Sequence, residues 1–200
     1  MSNRSPTPPN QQPLALVVSV GVDDYLQQLA ENASQSLQKS GYRVELLDLA
    51  AANYAPAMTE ADRRAYHTEQ SIVDPLVQTQ ADLVLAAKVL VFVYPVIWGT
   101  MPSLLKGWID RTFVIGVALI LVNGKVKRNL TGVNHVVGIA VSSAPVSQAI
   151  KSFADQGKRL ITRTIPIITK RRAKKYYWHH TRGSSDADFA RQVSAALAKL

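Results

Sequence analysis

The stretch Lys88-Val-Leu-Val-Phe-Val-Tyr-Pro-Val-Ile-Trp-Gly-Thr-Met-Pro-Ser-Leu-Leu-Lys-Gly-Trp-Ile-Asp-Arg111 decides how this chain is read. From Lys88 to Tyr94 it is an apolar run dominated by β-branched residues, which marks a strand buried on both faces. Pro95 ends the strand, because proline has no N–H to give a ladder. A helical pattern then runs from Pro102 to about Arg111, with proline in the first turn, where its missing N–H costs nothing.

The same alternation extends in both directions. Leu14 to Val20 reads as a buried strand, and Asp23 to Lys39 as a helix with Leu26, Leu29, Ala30, Ala33 and Leu37 on one face. Ser40-Gly41 stops that helix, and Tyr42 to Asp48 alternates as a second strand. After a polar loop from Ala50 to Met58, Thr59 and Asp62 have the spacing of a capping box. Ser71 to Ala87 predicts a helix facing inward through Ile72, Leu76, Leu83 and Ala87. Downstream, His135 to Val141 is a fourth strand and Val146 to Thr164 a basic helix. Lys174 to His179 is a fifth strand. Ser184 or Ser185 caps a last helix carrying Phe189, Val193, Leu197 and Leu200 inward. Strands alternating with helices predict an α/β three-layer sandwich around a five-stranded parallel sheet of order 2-1-3-4-5. Such sheets bind ligands outside the carboxyl ends of the strands, beside strands one and three.

Composition narrows the chemistry. Apolar residues make up 47% of the 200 and charged residues 18%, an ordinary globular balance. The absence of cysteine excludes disulfides, a thiol nucleophile and thiolate metal ligation. Residues 1–13 are polar and proline-rich and predict a disordered tail ahead of one domain, 14–200. No stretch has the make-up of a signal peptide, and the apolar runs fall short of the roughly 20 residues of a spanning helix. A cytoplasmic protein is expected. The net charge of +9 is concentrated: residues 151–183 hold ten Lys and Arg and one acid, Asp155. Such a segment attracts anions or forms a solvated face.

The run from Tyr94 to Arg111 resembles the signature of the flavodoxin-like NAD(P)H:quinone oxidoreductases, including the modulator-of-drug-activity and potassium-efflux ancillary proteins. The resemblance implies a flavodoxin-like fold, FMN (or FAD) as cofactor and NAD(P)H as co-substrate. It also implies a quinone or similar small acceptor, ping-pong hydride transfer and a homodimer with Pro102 onward and Phe113 to Leu121 near the contact. It places Pro95, Val96, Ile97 and Trp98 along the flavin, and Gly99 and Thr100 near its reactive edge. Ser142 and Ser143 stand where the family turns over the pyrimidine. A loop leaving a parallel strand suits a flat ring, because it offers backbone polar groups beside an apolar surface.

Other residues invite other readings. Lys106 and Asp110, four apart, are expected to pair on the helix surface, and no side chain is assigned as a catalytic acid or base. Asp23 and Asp24 put carboxylates where the resemblance implies a flavin phosphate, so they cap the helix but oppose that anion. His179-His180 lacks further partners for a metal. His67 is expected on an exposed helix and His135 at a strand start. The basic segment, through Arg171, Arg172, Lys174 and Lys175, is a candidate for the nicotinamide nucleotide's phosphates. Nucleic acid is not expected, for want of a recognised module. The alternative to the enzyme is a flavin-poor regulatory or ancillary subunit.

Overall fold

The computed structural model describes residues 11–68, 70–142, 156–183 and 185–200. The elements run β1 (Leu14–Ser19), α1 (Asp24–Lys39), β2 (Arg43–Asp48), α2 (Glu60–Ala65), α3 (Pro75–Ala86), β3 (Ala87–Pro95) and α4 (Ser103–Thr112). There follow β4 (Leu119–Val122), β5 (Lys125–Arg128), β6 (His135–Ser142), α5 (Gln156–Arg159), a π turn (Leu160–Thr164), α6 (Ile165–Ile168), β7 (Lys174–Thr181) and α7 (Asp186–Leu197). Five strands make one parallel sheet in the order β2-β1-β3-β6-β7, which is the predicted 2-1-3-4-5 arrangement. Among the described residues no helix is long and apolar enough to cross a membrane. The Pro13 carbonyl already accepts a hydrogen bond from Arg43 N–H, so sheet pairing starts one residue before β1.

Alternate residues of each central strand feed two cores. Ala15, Val17, Val89, Val91, Val93, Val137 and Ile139 pack under α1 and α7. Leu16, Val18, Leu90, Phe92, Tyr94 and Val136 pack against α3, α4 and the 156–168 helical segment. Each such aliphatic side chain contributes about 1.5–3 kcal/mol when fully buried. Both faces are covered, which explains why these strands read as continuous apolar runs.

Local signals set most boundaries. Asp23 caps α1 by accepting from Leu26 N–H at 2.9 Å. The Thr59–Asp62 capping box is complete, with reciprocal bonds of 3.0 and 2.9 Å. α3 departs from expectation: it opens at Pro75 after an Asp74 cap and buries Val77, Gln80, Ala81 and Val84. Leu76, expected inside, is exposed. Asp74-Pro75 is the stronger start signal, because the cap takes an orphan N–H and proline has none to lose. Ala87 therefore begins β3. His67 lies in the turn beyond α2 rather than on the helix. Ser185 precedes α7 without a side-chain cap bond, and Ser184 lies outside the described residues.

The β4–β5 hairpin was not anticipated. Its turn, Asn123-Gly124, has φ of 52° and 72°, the left-handed pair that a two-residue hairpin turn requires. The expected helix from Val146 is seen from Gln156 onward, since 143–155 lie outside the described residues.

Candidate functional site at the carboxyl edge of the sheet

β3 delivers its loop to the topological switch point, where β1 and β6 flank it on either side. Pro95 still pairs with Val141, and Val96 N–H donates to Val141 O at 2.7 Å. The chain then makes a tight turn in which Ile97 and Thr100 exchange both backbone hydrogen bonds, at 2.9 and 3.0 Å. Trp98 and Gly99 fill the turn with φ of 48° and 74°. A left-handed tryptophan is disfavoured by the clash of its Cβ with the backbone. Its indole is also 95% exposed, beside a half-exposed Ile97. Strain and lost burial fall on one residue, as at ligand-binding turns. Trp98 and Gly99 N–H make no hydrogen bond among the described residues and are open to an acceptor on a ligand.

α4 fixes this loop from beneath. Trp108 is fully buried and its indole N–H donates to Gln80 at 2.9 Å. Arg111, also buried, donates to Asp74 at 2.9 Å and Ala55 O at 2.8 Å and lies 3.2 Å from Asp62. Burial disfavours the guanidinium's charge, but Tyr54 and the two carboxylates hold its pKa above the usual value. Sequence reasoning did not foresee this cluster, whose members are dispersed from residue 55 to 111. Lys106 and Asp110 form the expected surface pair at 2.5 Å.

Of the remaining expected site residues, Ser142 is almost fully buried. Its hydroxyl turns to β7, 3.1 Å from Thr181 Oγ1 and 3.2 Å from His179 Nε2. Its side chain is thus engaged within the sheet rather than presented to the crevice. Ser143 lies outside the described residues.

The β1 loop is closed on itself. Asp48 Oδ1 accepts from the N–H groups of Ala50, Ala51 and, at 3.4 Å, Gly21. Gln27 donates to Gly21 O at 3.1 Å. A Cβ on Gly21 would fall 2.2 Å from Asp48 Oδ2, so only glycine lets the carboxylate approach this closely. At the tip of α1, Arg182 comes over from β7, 3.4 Å from Asp23 and 2.9 Å from Asp186, with its guanidinium 4.2 Å above the Tyr25 ring. Burial first, then Asp186 and Asp23, push the Tyr25 hydroxyl up to about 12 despite Arg182. Burial would raise the Asp186 carboxyl, but bonds from His180, Gly183 N–H and Arg182 outweigh it and hold the group at about 2.

A flavin therefore meets unequal surroundings. The β3 turn fits the ring, with an apolar aromatic surface and two free N–H donors. The β1 loop fits a phosphate poorly, because Asp23 and Asp48 take the Leu26 and Gly21 N–H groups and set two carboxylates where the anion would dock. Arg171, Arg172, Lys174 and Lys175 do not compensate. Lys174 pairs with His135 at the amino end of the sheet, roughly 20 Å along β7 from this crevice. Among the described residues no group of three or more His, Asp or Glu is placed to hold a metal.

Comparison with known proteins gives the same fold. An NAD(P)H oxidoreductase of Haemophilus influenzae, described as uncharacterized, is 29% identical over 97 residues, covering 48% of this chain. The match spans 47% of that relative's length. An NAD(P)H:quinone oxidoreductase from Methanothermobacter marburgensis superposes with a TM-score of 0.76 at 14% identity, over 94% of this chain and 98% of the other. An FMN-dependent NADH-azoreductase from Bacillus anthracis, in complex with FMN, superposes with a TM-score of 0.69 at 12% identity, over 93% of this chain and 98% of the other. Residues 14–161 match the family described by its flavodoxin-like fold, and with that span covered, the chain belongs to it.

Proposed function

We propose that this chain is a flavin-dependent NAD(P)H oxidoreductase that reduces quinones or similar small acceptors by a ping-pong mechanism. The observation that carries the reading is the β3 turn, where a strained, fully exposed Trp98 and two unpaired N–H groups stand at the switch point of a parallel sheet. FMN is the expected cofactor and FAD the alternative, in keeping with the FMN-bound azoreductase of the same fold. When bound, the flavin supplies a hydride-accepting ring. Pro95, Val96, Ile97 and Trp98 form the apolar edge that orients the ring and excludes water from one side. Gly99 and Thr100 line its reactive border, and the Trp98 and Gly99 N–H groups favour negative charge on ring oxygens. Ser143 is assigned to the pyrimidine side, and Ser142 acts there only through its backbone. No side chain is assigned proton transfer. A homodimer meeting near α4 and the 113–121 stretch completes the proposal.

The carboxylates of the β1 loop favour a second reading, a flavin-poor ancillary subunit. Absorbance spectra separate the two. Visible bands on adding FMN or FAD, bleached by NADPH and restored by a quinone, support the enzyme. A colourless protein that binds neither flavin supports the ancillary subunit.

A further inference from the structure

The other end of the sheet carries a feature that the redox reading leaves unused. Arg128 of β5, Arg163 of the π turn, Lys170 and Arg171 of the following loop, and Lys175 of β7 line an open cleft of about 460 Å³. Among the described residues no acidic side chain lines it. The ion pairs of lysine and arginine among the described residues involve Arg43, Arg64, Lys106, Arg111, Arg182 and Arg191, none of them in this cleft. Among the described residues only Lys170, to Asn134 Oδ1, and Arg128, to Thr169 O, make side-chain hydrogen bonds from this set, and Arg163, Arg171 and Lys175 have no partner there. Like charges lining one cleft repel one another, and an external anion relieves that repulsion.

The cleft's apolar component identifies the anion. Ile167, which lines it, is 66% exposed, and Val126 on the hairpin is 65% exposed. By strand alternation Val126 faces the same side as Arg128. Among the described residues no aromatic ring lines the cleft to stack on a nucleobase. Cations surrounding exposed aliphatic tips match a bilayer surface, where mobile phosphates meet the cations and the acyl boundary receives the apolar side chains.

We propose that this amino-end cleft docks the protein on an anionic phospholipid surface, leaving the carboxyl-edge crevice facing the aqueous side. The test is sedimentation of the full chain with vesicles of phosphatidylcholine alone or doped with phosphatidylglycerol. The chain should bind only the doped vesicles, and salt should release it. Each cation near such a surface raises partitioning roughly fivefold, so R163Q/R171Q should lower it roughly 25-fold with circular dichroism unchanged. I167D, made separately, should lower the binding that survives at moderate salt. The proposal is overturned by equal binding to both vesicle types, by R163Q/R171Q binding as the parent does, or by tighter retention on duplex DNA than on doped vesicles at matched salt. Flavin binding by either variant should be unaltered, so failure here is distinguishable from failure of the redox reading.

Discussion

Two loops leave the same edge of the same sheet and are built on opposite principles. The β1 loop is drawn shut by side chains: Asp23 takes Leu26 N–H, Asp48 takes the N–H groups of Gly21, Ala50 and Ala51, and Gln27 closes on Gly21 O. The β3 loop holds Trp98 in a disfavoured conformation, exposed, with N–H groups unmet. In the second, nothing among the described residues repays the strain and exposure of Trp98. What distinguishes the candidate site is therefore a strained, exposed turn with no side-chain tie, set against a loop that its own carboxylates draw shut.

The largest effect on this contrast comes from the frame that carries the open loop. R111A leaves Asp62 and Asp74 without their buried cation, a loss of about 3 kcal/mol. Urea denaturation should show the midpoint falling with little change in slope. An unchanged midpoint would mean that α4 is held by packing alone. Trp98 comes next. W98G should stabilise the apoprotein by about 0.5–1 kcal/mol, because glycine accepts the left-handed turn without strain. The same change should weaken flavin binding by roughly tenfold through lost stacking. Opposite signs in one variant would show that the strain serves the ligand, whereas falls in both quantities would make Trp98 structural.

The contrast between the loops was only half legible in the sequence. The strand-to-helix alternation, the Asp23 cap and the Thr59–Asp62 box are contiguous signals, and the chain forms them as written. The stretch from Tyr94 to Arg111 gave the open loop, but not the left-handed turn that exposes Trp98. Asp23 and Asp24 hinted at a closed β1 loop. The role of Asp48 was hidden, because parallel pairing of β1 with β2 brings it to Gly21 from 27 residues away. Arg111, Asp62 and Asp74 were hidden for the same reason. Asn123-Gly124 is a strong hairpin signal, but the run before it is continuously apolar rather than alternating, which hides the strand. The Ser142 hydroxyl's contact with Thr181 is not legible in the sequence, because β7 comes beside β6 only in the finished sheet.

Opening the closed loop is the next test. D23S keeps a cap for α1 but removes one negative charge beside the place where a helix N-terminus receives phosphate. FMN should tighten by about fivefold at low salt while riboflavin, which lacks the phosphate, stays unchanged. Fluorescence quenching titrations of the two flavins give the ratio directly. Equal gains for both would mean that Asp23 acts on the ring and not on the phosphate.

The smallest effect concerns the latch that holds the closed loop shut. Asp186 binds Arg182, His180 and Gly183 N–H together, and Arg182 in turn covers Tyr25 and approaches Asp23. Its carboxyl sits at about 2 in the fold against an ordinary 3.8. A group whose pKa is depressed on folding adds stability above its unfolded value and loses it as pH falls toward the folded one. The stability difference between the parent and D186N should therefore be constant near neutrality and shrink between about pH 4 and pH 2. Its size should be on the order of 1 kcal/mol, since the side chains of Asp186 and Arg182 remain 24% and 36% exposed and solvent screens the pair. Paired thermal melts across that range read the difference. A gap that persists to pH 2 would assign the latch to the shape of the Asp186 side chain rather than its charge, and the β1 loop would then be closed by fit and not by electrostatics.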